Sequence, residues 1–568
     1  MCGIAGIIGI NASQKTMAAM LKKQQHRGPD NTGIFSEDNI VLGHNRLSII
    51  DLSEGANQPF HSPDGRYILV FNGEIYNYKE LRSCLKNEYV FKTQSDTEVL
   101  LAAYISWGEE CLARLNGMFA FAIWDRKGKQ LFAARDRFGV KPFYYAYQDD
   151  TFYFASELKT LFEAGLSRVA NEKVWATYFA YGSYGMPHET FWEGVFQLSA
   201  GHSMVVAQGR FSITQWYNFE NEIKKQSEEK PLEQAVTTYL GLLEDSIALR
   251  FRADVPLGFN ISGGVDSSLL LALVNKHKKG GDIRAFTFYT GDERYDELPW
   301  VEELIVHTSN PLHKVKLAGQ QVPELSRLMA SQQDEPYGGF PTLAYASLFA
   351  EARKRGVKVV LDGQGMDEQW AGYDYYRNTE GETIQGVRKS PFRPGVLSAD
   401  FLARAEKPEY REPFENSLLN LQYRDLFYTK LPRALRFNDR ISMAASTELR
   451  EPFLDHRLVE FAFAQPRKYK IQGDLNKYVL RLLVKELLPE SISLAPKRAL
   501  QTPQREWLGD DLKSWTTERI LSLKGHPWFQ SNKLEKELEK YLSGNRDSSF
   551  HIWQWINCSL LFEPDGLL

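Results

Sequence analysis

Residues 255–275 read VPLGFNISGGVDSSLLLALVN, and this stretch decides the fold of the larger part of the chain. An apolar run from Val255 to Ile261 predicts a buried strand, and SSLLLALVNKHKK after the two glycines predicts a helix. Glycines let backbone N–H groups approach a phosphate, the serines add hydroxyl donors, and a helix N-terminus favours anions. No lysine follows the glycines, so this is not the GxxxxGK[ST] loop. A serine-capped tight turn is the alternative, but the strand–loop–helix context favours phosphate binding.

The segments around this loop predict a parallel sheet. A helix candidate, LEQAVTTYLGLLEDSIALRF (232–251), precedes it, and two further strand candidates, IRAFTFYT (283–290) and VKVVLD (357–362), follow. This β-α-β rhythm is typical of parallel sheets covered by helices. From about residue 400 onward the patterns are mostly helical.

The first 160 or so residues have a different pattern, with short apolar runs between turn signals, such as GIAGIIGI (3–10) and MFAFAIWD (118–125). Their β-branched and aromatic content predicts strands, and DTEVLLAAYISW (96–107) predicts a helix. An α/β/β/α sandwich is compatible with this pattern. The charged stretch FENEIKKQSEEKP (219–231) indicates a linker, so we expect one domain over 1–218 and another over 219–568.

Composition excludes several classes of protein. The chain has 568 residues, 43% hydrophobic and 25% charged, with a net charge of -4, so we expect globular domains and neither nucleic acid nor membrane as a partner. Its four cysteines form no CxxC pair, which favours a reducing, cytoplasmic setting without disulfides.

Cys2 is the first candidate for chemistry. Removal of the initiator Met would give it a free α-amine, whose pKa of about 7.7–8.0 lets it accept the thiol proton. Asn72 and Gly73 offer a side-chain amide and a backbone N–H for an oxyanion, and Arg46 and Asp96 offer opposite charges for an amino-acid substrate. Taken singly, each has an ordinary alternative. Cys2 can be a chance cysteine, Asn72 with Gly73 a hairpin turn, Arg46 a surface cation and Asp96 a helix cap.

Together these residues lie in a colinear series of motifs: MCGIAGI (1–7), HRGPD (26–30), GHNRLSIID (43–51), FNGEIYNY (71–78), SDTE (95–98), NGMFAFAIWD (116–125) and RDRFGVKPFYY (135–145). The series resembles the glutaminase domain of class II amidotransferases, which are Ntn hydrolases with the α/β/β/α fold. The resemblance implies Cys2 as nucleophile and Asn72 with Gly73 as oxyanion hole. The glutamine site that it implies comprises Arg46, Leu47, Ser48, Ile49, Ile50, Asn72, Gly73, Glu74 and Asp96.

The motif SGGVDSS (262–268) resembles the pyrophosphate loop of synthetases that transfer AMP from ATP to a carboxylate. With DGQGMDEQWAGY (362–373), a helical core motif at 439–462 and NKYVLR (476–481), it is similar to the glutamine-hydrolysing asparagine synthetase family. The ATP and pyrophosphate residues implied are Asn260, Ser262, Gly263, Gly264, Asp266, Ser267, Ser268, Phe288, Asp362, Gly363 and Lys477. The resemblance also implies Mg²⁺ on Asp266 and Asp367, and Gln364 and Asp367 beside the acceptor. The resemblance is also compatible with a homodimer.

One motif departs from this family at three positions: the family usually has Ser-Gly-Glu-Gly-Ser-Asp-Glu, and the chain has Asp362, Gln364 and Met366 in place of the first serine, the glutamate and the second serine. Gln364 replaces a glutamate that is thought to help activate ammonia, and an amide cannot accept a proton at pH 7. Asp362 replaces a serine, so the carboxylate can have moved rather than vanished. The acceptor is expected to be aspartate. The alternatives are another carboxylate, such as a uronic acid of a surface polysaccharide, or a regulatory protein with a degenerate synthetase half.

Overall fold

The computed structural model describes residues 1–226, 229–278, 283–377, 390–493 and 501–563. We call residues 1–218 the N-terminal half and residues 219–568 the C-terminal half. The strands of the N-terminal half are Gly3–Gly9 (β1), Asn31–Glu37 (β2), Ile40–Arg46 (β3), Phe60–His61 (β4), Tyr67–Ile75 (β5), Gly117–Asp125 (β6), Gln130–Arg135 (β7), Tyr144–Gln148 (β8), Thr151–Ala155 (β9), Val195–Gln197 (β10), His202–Ala207 (β11) and Arg210–Gln215 (β12). Its helices are Gln14–Lys23 (α1), Tyr78–Leu85 (α2), Asp96–Trp107 (α3), Cys111–Arg114 (α4), Leu158–Glu163 (α5) and Glu172–Tyr181 (α6).

The strands of the N-terminal half form two antiparallel sheets packed face to face. One sheet has the order β10-β8-β9-β1-β3-β2 and the other β12-β11-β7-β6-β5-β4. An apolar layer that includes Ile4, Leu42, Val70 and Leu131 fills the space between them. Helices α1 and α5 cover the first sheet, and α3, with α2 packed against it, covers the second. The predicted α/β/β/α sandwich is therefore confirmed.

Two local predictions have opposite outcomes. The helix predicted over 96–107 is confirmed with those bounds, although its N-cap is Ser95, whose side chain accepts a hydrogen bond from the N–H of Thr97. The alternative interpretation of Asn72 and Gly73, a hairpin turn, is excluded, because both residues lie inside β5 and pair with β6. The Asn-Gly pair is held in a strand by this pairing.

The C-terminal half is built on a parallel sheet of five strands. Its strands and a small two-stranded ribbon are Leu257–Asn260 (β13), Arg284–Tyr289 (β14), Leu312–Lys316 (β15), Val359–Leu361 (β16), Glu448–Arg450 (β17), Ile471–Gln472 (β18) and Leu475–Asn476 (β19). The helices are Phe219–Lys225 (α7), Leu232–Arg250 (α8), Val265–Lys278 (α9), Leu298–Thr308 (α10), Val322–Gln333 (α11), Phe340–Lys354 (α12), Met366–Gln369 (α13), Ala399–Leu402 (α14), Ser417–Phe427 (α15), Lys430–Ala444 (α16), His456–Ala464 (α17), Arg467–Lys470 (α18), Tyr478–Lys485 (α19), Glu490–Ser493 (α20), Gln504–Gly509 (α21), Lys513–Leu521 (α22), Ser531–Leu542 (α23) and Phe550–Leu561 (α24).

The order of the parallel sheet, β15-β14-β13-β16-β17, places the topological switch point between β13 and β16. The chain leaves β13 toward β14 on one side, while β16 and β17 lie on the other. In open α/β sheets, ligands bind at the carboxyl ends of the strands at this point. The glycine loop after β13 and the segment after β16 therefore face the same cleft, as the predicted β-α-β arrangement requires.

Two expectations for the C-terminal half are corrected by the structure. The stretch predicted as a linker contains α7, whose Phe219 and Ile223 are buried against the C-terminal half. The motif at 439–462, identified above as a helical core motif, also contains strand β17 between α16 and α17. In α7, the burial of apolar side chains outweighs the local charge pattern. In β17, a position in the sheet outweighs the local helix pattern.

The two halves share one apolar core. Buried side chains of both halves, such as Met118 and Phe138 on one side and Leu454 and Phe461 on the other, belong to one continuous cluster. Within the described ranges, no helix is long and apolar enough to cross a lipid bilayer.

Candidate active sites

Cys2 lies buried directly before β1 in the N-terminal half, only 7% exposed. Its backbone N–H donates to Oδ1 of Asn72 at 3.0 Å, and its carbonyl O accepts from Nε of Arg27 at 3.0 Å. Burial raises the pKa of the Cys2 thiol, against the positive charges of the N-terminus and Arg46. A buried thiol of this kind needs a nearby base to become a nucleophile.

Asn72 and Gly73 stand beside this thiol in the middle of β5. The side-chain Nδ2 of Asn72 is buried and has no hydrogen-bond partner among the described residues, although its Oδ1 is bonded to Cys2. A side chain at position 73 would lie 2.1 Å from the carbonyl O of Met118, so glycine is required there by close packing. An unpartnered buried donor beside a thiol has the chemistry of an oxyanion site.

Arg46 ends β3, and the segment after it runs past the thiol. The guanidinium of Arg46 donates to the carbonyl O of Ser53 and to Oδ1 of Asn57, each at 2.7 Å, so the following loop holds it in place. The backbone N–H of Leu47 donates to Cys2. Of the other predicted residues in this segment, Ile49 and Ile50 are buried and Ser48 is partly exposed.

Two buried carboxylates complete this site. Oδ2 of Asp96 accepts from the N–H of Ile75 at 2.9 Å, and burial raises the pKa of Asp96 to about 6. Glu74 is 4% exposed, and burial also raises its pKa well above the ordinary value. Of the residues predicted for glutamine, Asn72, Leu47, Arg46 and Glu74 therefore act directly on the thiol or on the backbone of Cys2, and Asp96 bonds the strand that carries Asn72.

The sequence did not predict that the C-terminal half reaches this site. Strand β17 presents Glu448, whose Oε2 lies 2.7 Å from the α-ammonium of Met1, and Arg450, whose Nη2 lies 3.3 Å from Oε2 of Glu74. Burial alone would raise the pKa of Glu448, but the charges of the N-terminus and Arg450 hold it at about 2. In the sequence, the only indication of a role for Glu448 and Arg450 was that both lie in the motif at 439–462.

The second site lies in the cleft at the switch point of the parallel sheet. The cleft has a volume of about 1520 Å³ and is lined on one side by the glycine loop. In this loop Gly263 has a φ of +70°, and the N–H of Ser262 donates to Oγ of Ser267 at 3.3 Å. The loop therefore turns sharply and leads its backbone toward the N-terminus of α9, as an anion site requires.

Opposite the loop, Asp362 follows β16 and is bonded to both sides of the cleft. Its Oδ2 accepts from Nδ2 of Asn260 at 3.2 Å, its Oδ1 accepts from the N–H of Gly363 at 2.5 Å, and the side chain of Gln364 also bonds it. Burial raises the pKa of Asp362 to about 6. This carboxylate lines the cleft and has a raised affinity for protons.

Lys477 joins two carboxylates across the floor of the cleft. Its Nζ lies 2.5 Å from Oδ2 of Asp266 and 2.7 Å from Oδ1 of Asp367. Burial alone would lower the pKa of Lys477, but the two carboxylates raise it above its ordinary value. A side chain at Gly372 would lie 1.9 Å from Oδ1 of Asp367, so this glycine makes the arrangement possible.

Asp266 and Asp367 fit a hard divalent cation. Mg²⁺ binds through one or two protein carboxylates and takes its other ligands from phosphate oxygens and water. Two carboxylates beside an anion-binding loop match this donor set, and the described ranges contain no larger cluster of metal-ligating side chains.

Two predicted ATP-site residues do not line the cleft. Ser268 is fully buried in α9, behind the loop. Phe288 makes an edge-to-face contact with Tyr345, with ring centroids 5.5 Å apart, and Tyr345 is the residue that reaches the cleft. The other predicted residues, from Asn260 to Ser267, from Asp362 to Gln364, Asp367 and Lys477, all line it.

Comparisons with known proteins show the family of the chain. Residues 1–217 match the family model of the glutamine amidotransferase domain, and residues 238–563 match that of asparagine synthase. "Asparagine synthetase [glutamine-hydrolyzing] 3" of Bacillus subtilis is 30% identical over 87% of this chain and 85% of its own length. "Asparagine synthetase [glutamine-hydrolyzing] 1" of the same organism is 29% identical over 100% of this chain and 98% of its own length.

A further relative has a different printed name: "Amidase chry2" of Gibberella zeae is 25% identical over 92% of this chain and 92% of its own length. The family matches confirm the predicted class of enzyme, an ATP-dependent ligase with glutamine as nitrogen donor. Both family models together span nearly the whole chain, and the two sites fall one in each. The chain belongs to the asparagine synthase family.

Proposed function

We propose that this protein is a glutamine-dependent asparagine synthetase, which makes asparagine, AMP and pyrophosphate from aspartate, ATP and glutamine. The observation that carries the proposal is the pairing of two equipped sites, a thiol with an unpartnered amide donor and a glycine loop with Lys477, in one continuous core. A regulatory protein with a degenerate synthetase half is disfavoured, because the loop, both cleft aspartates and the lysine are all present.

In the N-terminal half, Cys2 attacks the side-chain amide of glutamine. Removal of Met1 frees the α-amine of Cys2, which takes the thiol proton and later passes it to the leaving ammonia. The oxyanion forms beside Nδ2 of Asn72 and the N–H of Gly73. Arg46 binds the α-carboxylate and Asp96 the α-ammonium, and water then releases glutamate from the thioester.

In the C-terminal half, the acceptor carboxylate attacks the α-phosphorus of ATP and pyrophosphate leaves. Backbone N–H groups of 262–268 and Nζ of Lys477 hold the pyrophosphate and stabilise its growing charge. Bound to Asp266 and Asp367, Mg²⁺ would neutralise phosphate charge. Ammonia then attacks the activated carbonyl carbon, and AMP leaves with its bonding electron pair.

Ammonia must pass from Cys2 to the cleft without mixing with water, where most of it would be protonated. Strand β17 supports a direct route, because Glu448 and Arg450 face the first site while its neighbour β16 leads to Asp362 in the second. The route that we propose therefore runs across the carboxyl ends of β16 and β17, within the shared core.

The test is to incubate the full-length protein with MgATP, glutamine and aspartate and to measure pyrophosphate and asparagine together. We expect both in equal amounts, and neither when aspartate is omitted. Release of glutamate without aspartate-dependent pyrophosphate would overturn aspartate as the acceptor.

One observation favours a second candidate, an amidotransferase for a larger carboxylate. A second cavity of about 810 Å³ adjoins the cleft, and the two share Gly182, Tyr184, Tyr375, Lys430 and Arg433. Its lining has eight Arg and Lys against four Asp and Glu, with Arg436 5.1 Å from the ring of Tyr184. A basic, aromatic cavity suits a uronic acid within a longer anionic chain.

The two candidates differ in which carboxylate triggers pyrophosphate release. Aspartate and an oligogalacturonate are compared as acceptors, with the variant Arg433→Ala as a probe of the shared boundary. Release with the oligosaccharide alone, weakened in the variant, would support the second candidate, and release with aspartate alone would exclude it.

A further inference from the structure

Glu451 is a buried carboxyl group between the two sites. The proposed mechanism gives this residue no role. It is 4% exposed, and its Oε2 accepts no hydrogen bond from any described residue. It directly follows β17, as Asp362 directly follows β16, and these strands pair in parallel with the N–H of Asp362 bonded to the carbonyl O of Arg450 at 2.9 Å. Both carboxyl groups therefore stand at the same edge of the sheet.

Charged groups that act on Glu451 are bonded in turn to residues of the thiol site. Nζ of Lys141, a buried residue of the N-terminal half, lies 3.5 Å from the carbonyl O of Leu449 and 3.9 Å from Oδ1 of Asp439. Arg27 bonds both Asp439 and the carbonyl O of Cys2. The charged groups that act on Glu451 are Lys141, Asp362, Asp439 and Arg250. Glu451 thus lies between Asp362, which lines the cleft, and the side chains that lead to Cys2.

Amide formation requires a proton acceptor near this place. When ammonia attacks a carbonyl carbon, the nitrogen carries an extra proton that must leave before a neutral amide forms. Gln364 cannot take it, since an amide is not a base at neutral pH. Two neighbouring buried carboxyl groups resist ionising together and can share one proton. Burial raises the pKa of Glu451 to about 8, above that of Asp362 at about 6.

We propose that Asp362 and Glu451 form a carboxyl pair that accepts the proton released in amide formation, with Glu451 as the member behind the cleft. The inference rests on the proposed function. The nitrogen lone pair forms the C–N bond, the proton on nitrogen passes to the Asp362 carboxylate and is shared with ionised Glu451, and the C–O bond to AMP breaks. Glu451 acts through Asp362 and is a positioning residue.

The test uses Glu451→Gln, which keeps the shape but cannot titrate, and Glu451→Asp, which keeps the acid. Glu460→Gln is the matched control, because Glu460 is also a buried carboxyl between the halves, bonded to the hydroxyl of Tyr217 at 2.8 Å. Glutamate release, aspartate-dependent pyrophosphate release and asparagine formed per glutamate are measured against pH.

In the parent protein we expect asparagine per glutamate to rise as the pH passes through about 8. Glu451→Gln should remove this rise and lower the ratio at least about tenfold at high pH, since proton transfer commonly contributes that much. Glu451→Asp should restore part of the rise, and Glu460→Gln should match the parent. A parent-like pH profile in Glu451→Gln would overturn the proposal.

A second measurement does not depend on the acceptor. Infrared difference spectra of parent and Glu451→Gln should show a protonated carboxyl band at neutral pH that disappears as the pH passes through about 8. Absence of that band would overturn the proposal. If aspartate gives no pyrophosphate in the parent, the proposed acceptor fails, while the infrared titration still decides whether Glu451 holds the proton.

Discussion

The guanidinium of Arg27 donates to Oδ2 of Asp439 at 2.9 Å, which bonds the N-terminal half to helix α16 of the C-terminal half. The same side chain is fully buried, donates to Glu157, and holds the carbonyl O of Cys2 through Nε. The position of the nucleophile is therefore fixed partly by a residue more than 400 positions away. The two halves are coupled through this contact.

The variant Asp439→Asn should weaken that contact. It leaves the buried charge of Arg27 with one carboxylate partner, and the loss of a hydrogen bond to a charged group costs about 1.5–3 kcal/mol. We expect a lower Tm by circular dichroism and slower glutamate release. The control is Arg66→Gln, whose ion pair with Asp125 is 39% exposed on the arginine side, so that its loss should lower the Tm less. Equal Tm losses in the two variants would contradict the buried coupling.

Replacing the nucleophile should separate the two reactions. Cys2→Ala removes the thiol but leaves the cleft unchanged, so glutamate release should be lost while ammonium salts still support amide formation. Cys84→Ala, which removes an exposed thiol, should behave as the parent. Glutamate and amide are measured in the same reaction, and residual glutaminase activity in Cys2→Ala would reject Cys2 as nucleophile.

Lys477 should be needed for the pyrophosphate-releasing step. Lys477→Met keeps most of the side-chain volume but removes the ammonium group that holds the pyrophosphate and stabilises its growing charge, so ATP–pyrophosphate exchange should fall at least about 100-fold. Lys470→Met is the control, because Lys470 is equally buried but bonds Gln422 outside the cleft lining. Similar losses in both variants would mean that Lys477, like any buried lysine, is needed for folding rather than for binding phosphate.

Glutamine binding should weaken in acid because of Asp96. Burial raises the pKa of Asp96 to about 6, so below that pH it loses the charge that binds the α-ammonium group. The KM for glutamine should rise as the pH falls through about 6, and Asp96→Asn should have a high KM at every pH. A KM in the parent that does not change with pH would contradict this role.

The same carboxyl should affect stability in the opposite direction. The pKa of Asp96 is higher in the folded chain than in the unfolded chain. Its stabilisation of the folded state is therefore full at low pH and is lost as the pH rises from about 4 through about 6. Urea unfolding of the parent should show this loss, and Asp96→Asn should not. An identical pH dependence of unfolding in both would refute the raised pKa.

Asp362 should carry the proton-accepting function that Gln364 cannot. In Asp362→Ser we expect amide formation to fall more strongly than pyrophosphate release, because the acyl transfer needs the base and the first step does not. Gln364→Ala removes a hydrogen-bond partner of Asp362 but leaves the carboxylate in place, so it should lower the ratio of amide to pyrophosphate less than Asp362→Ser does. Amide formed at the parent rate in Asp362→Ser would show that this carboxylate has not replaced the missing glutamate.

The sequence by itself determined the local elements and the motifs. The apolar run, glycine pair and helix of 255–275 and the helix Asp96–Trp107 follow from spacing and conformational preference over a few residues, and the structure confirms them. The colinear motifs likewise predicted the family and placed the candidate residues of both sites.

Only the tertiary structure decided which residues from different motifs meet. Glu448 at the N-terminus, Arg450 beside Glu74, and Glu451 behind Asp362 all depend on a three-residue strand, β17, at the edge of a parallel sheet. Such a short strand has no periodic signal of its own, and parallel pairing joins residues far apart in the chain. The physical reason is that burial and long-range pairing, rather than local preference, bring these charges together.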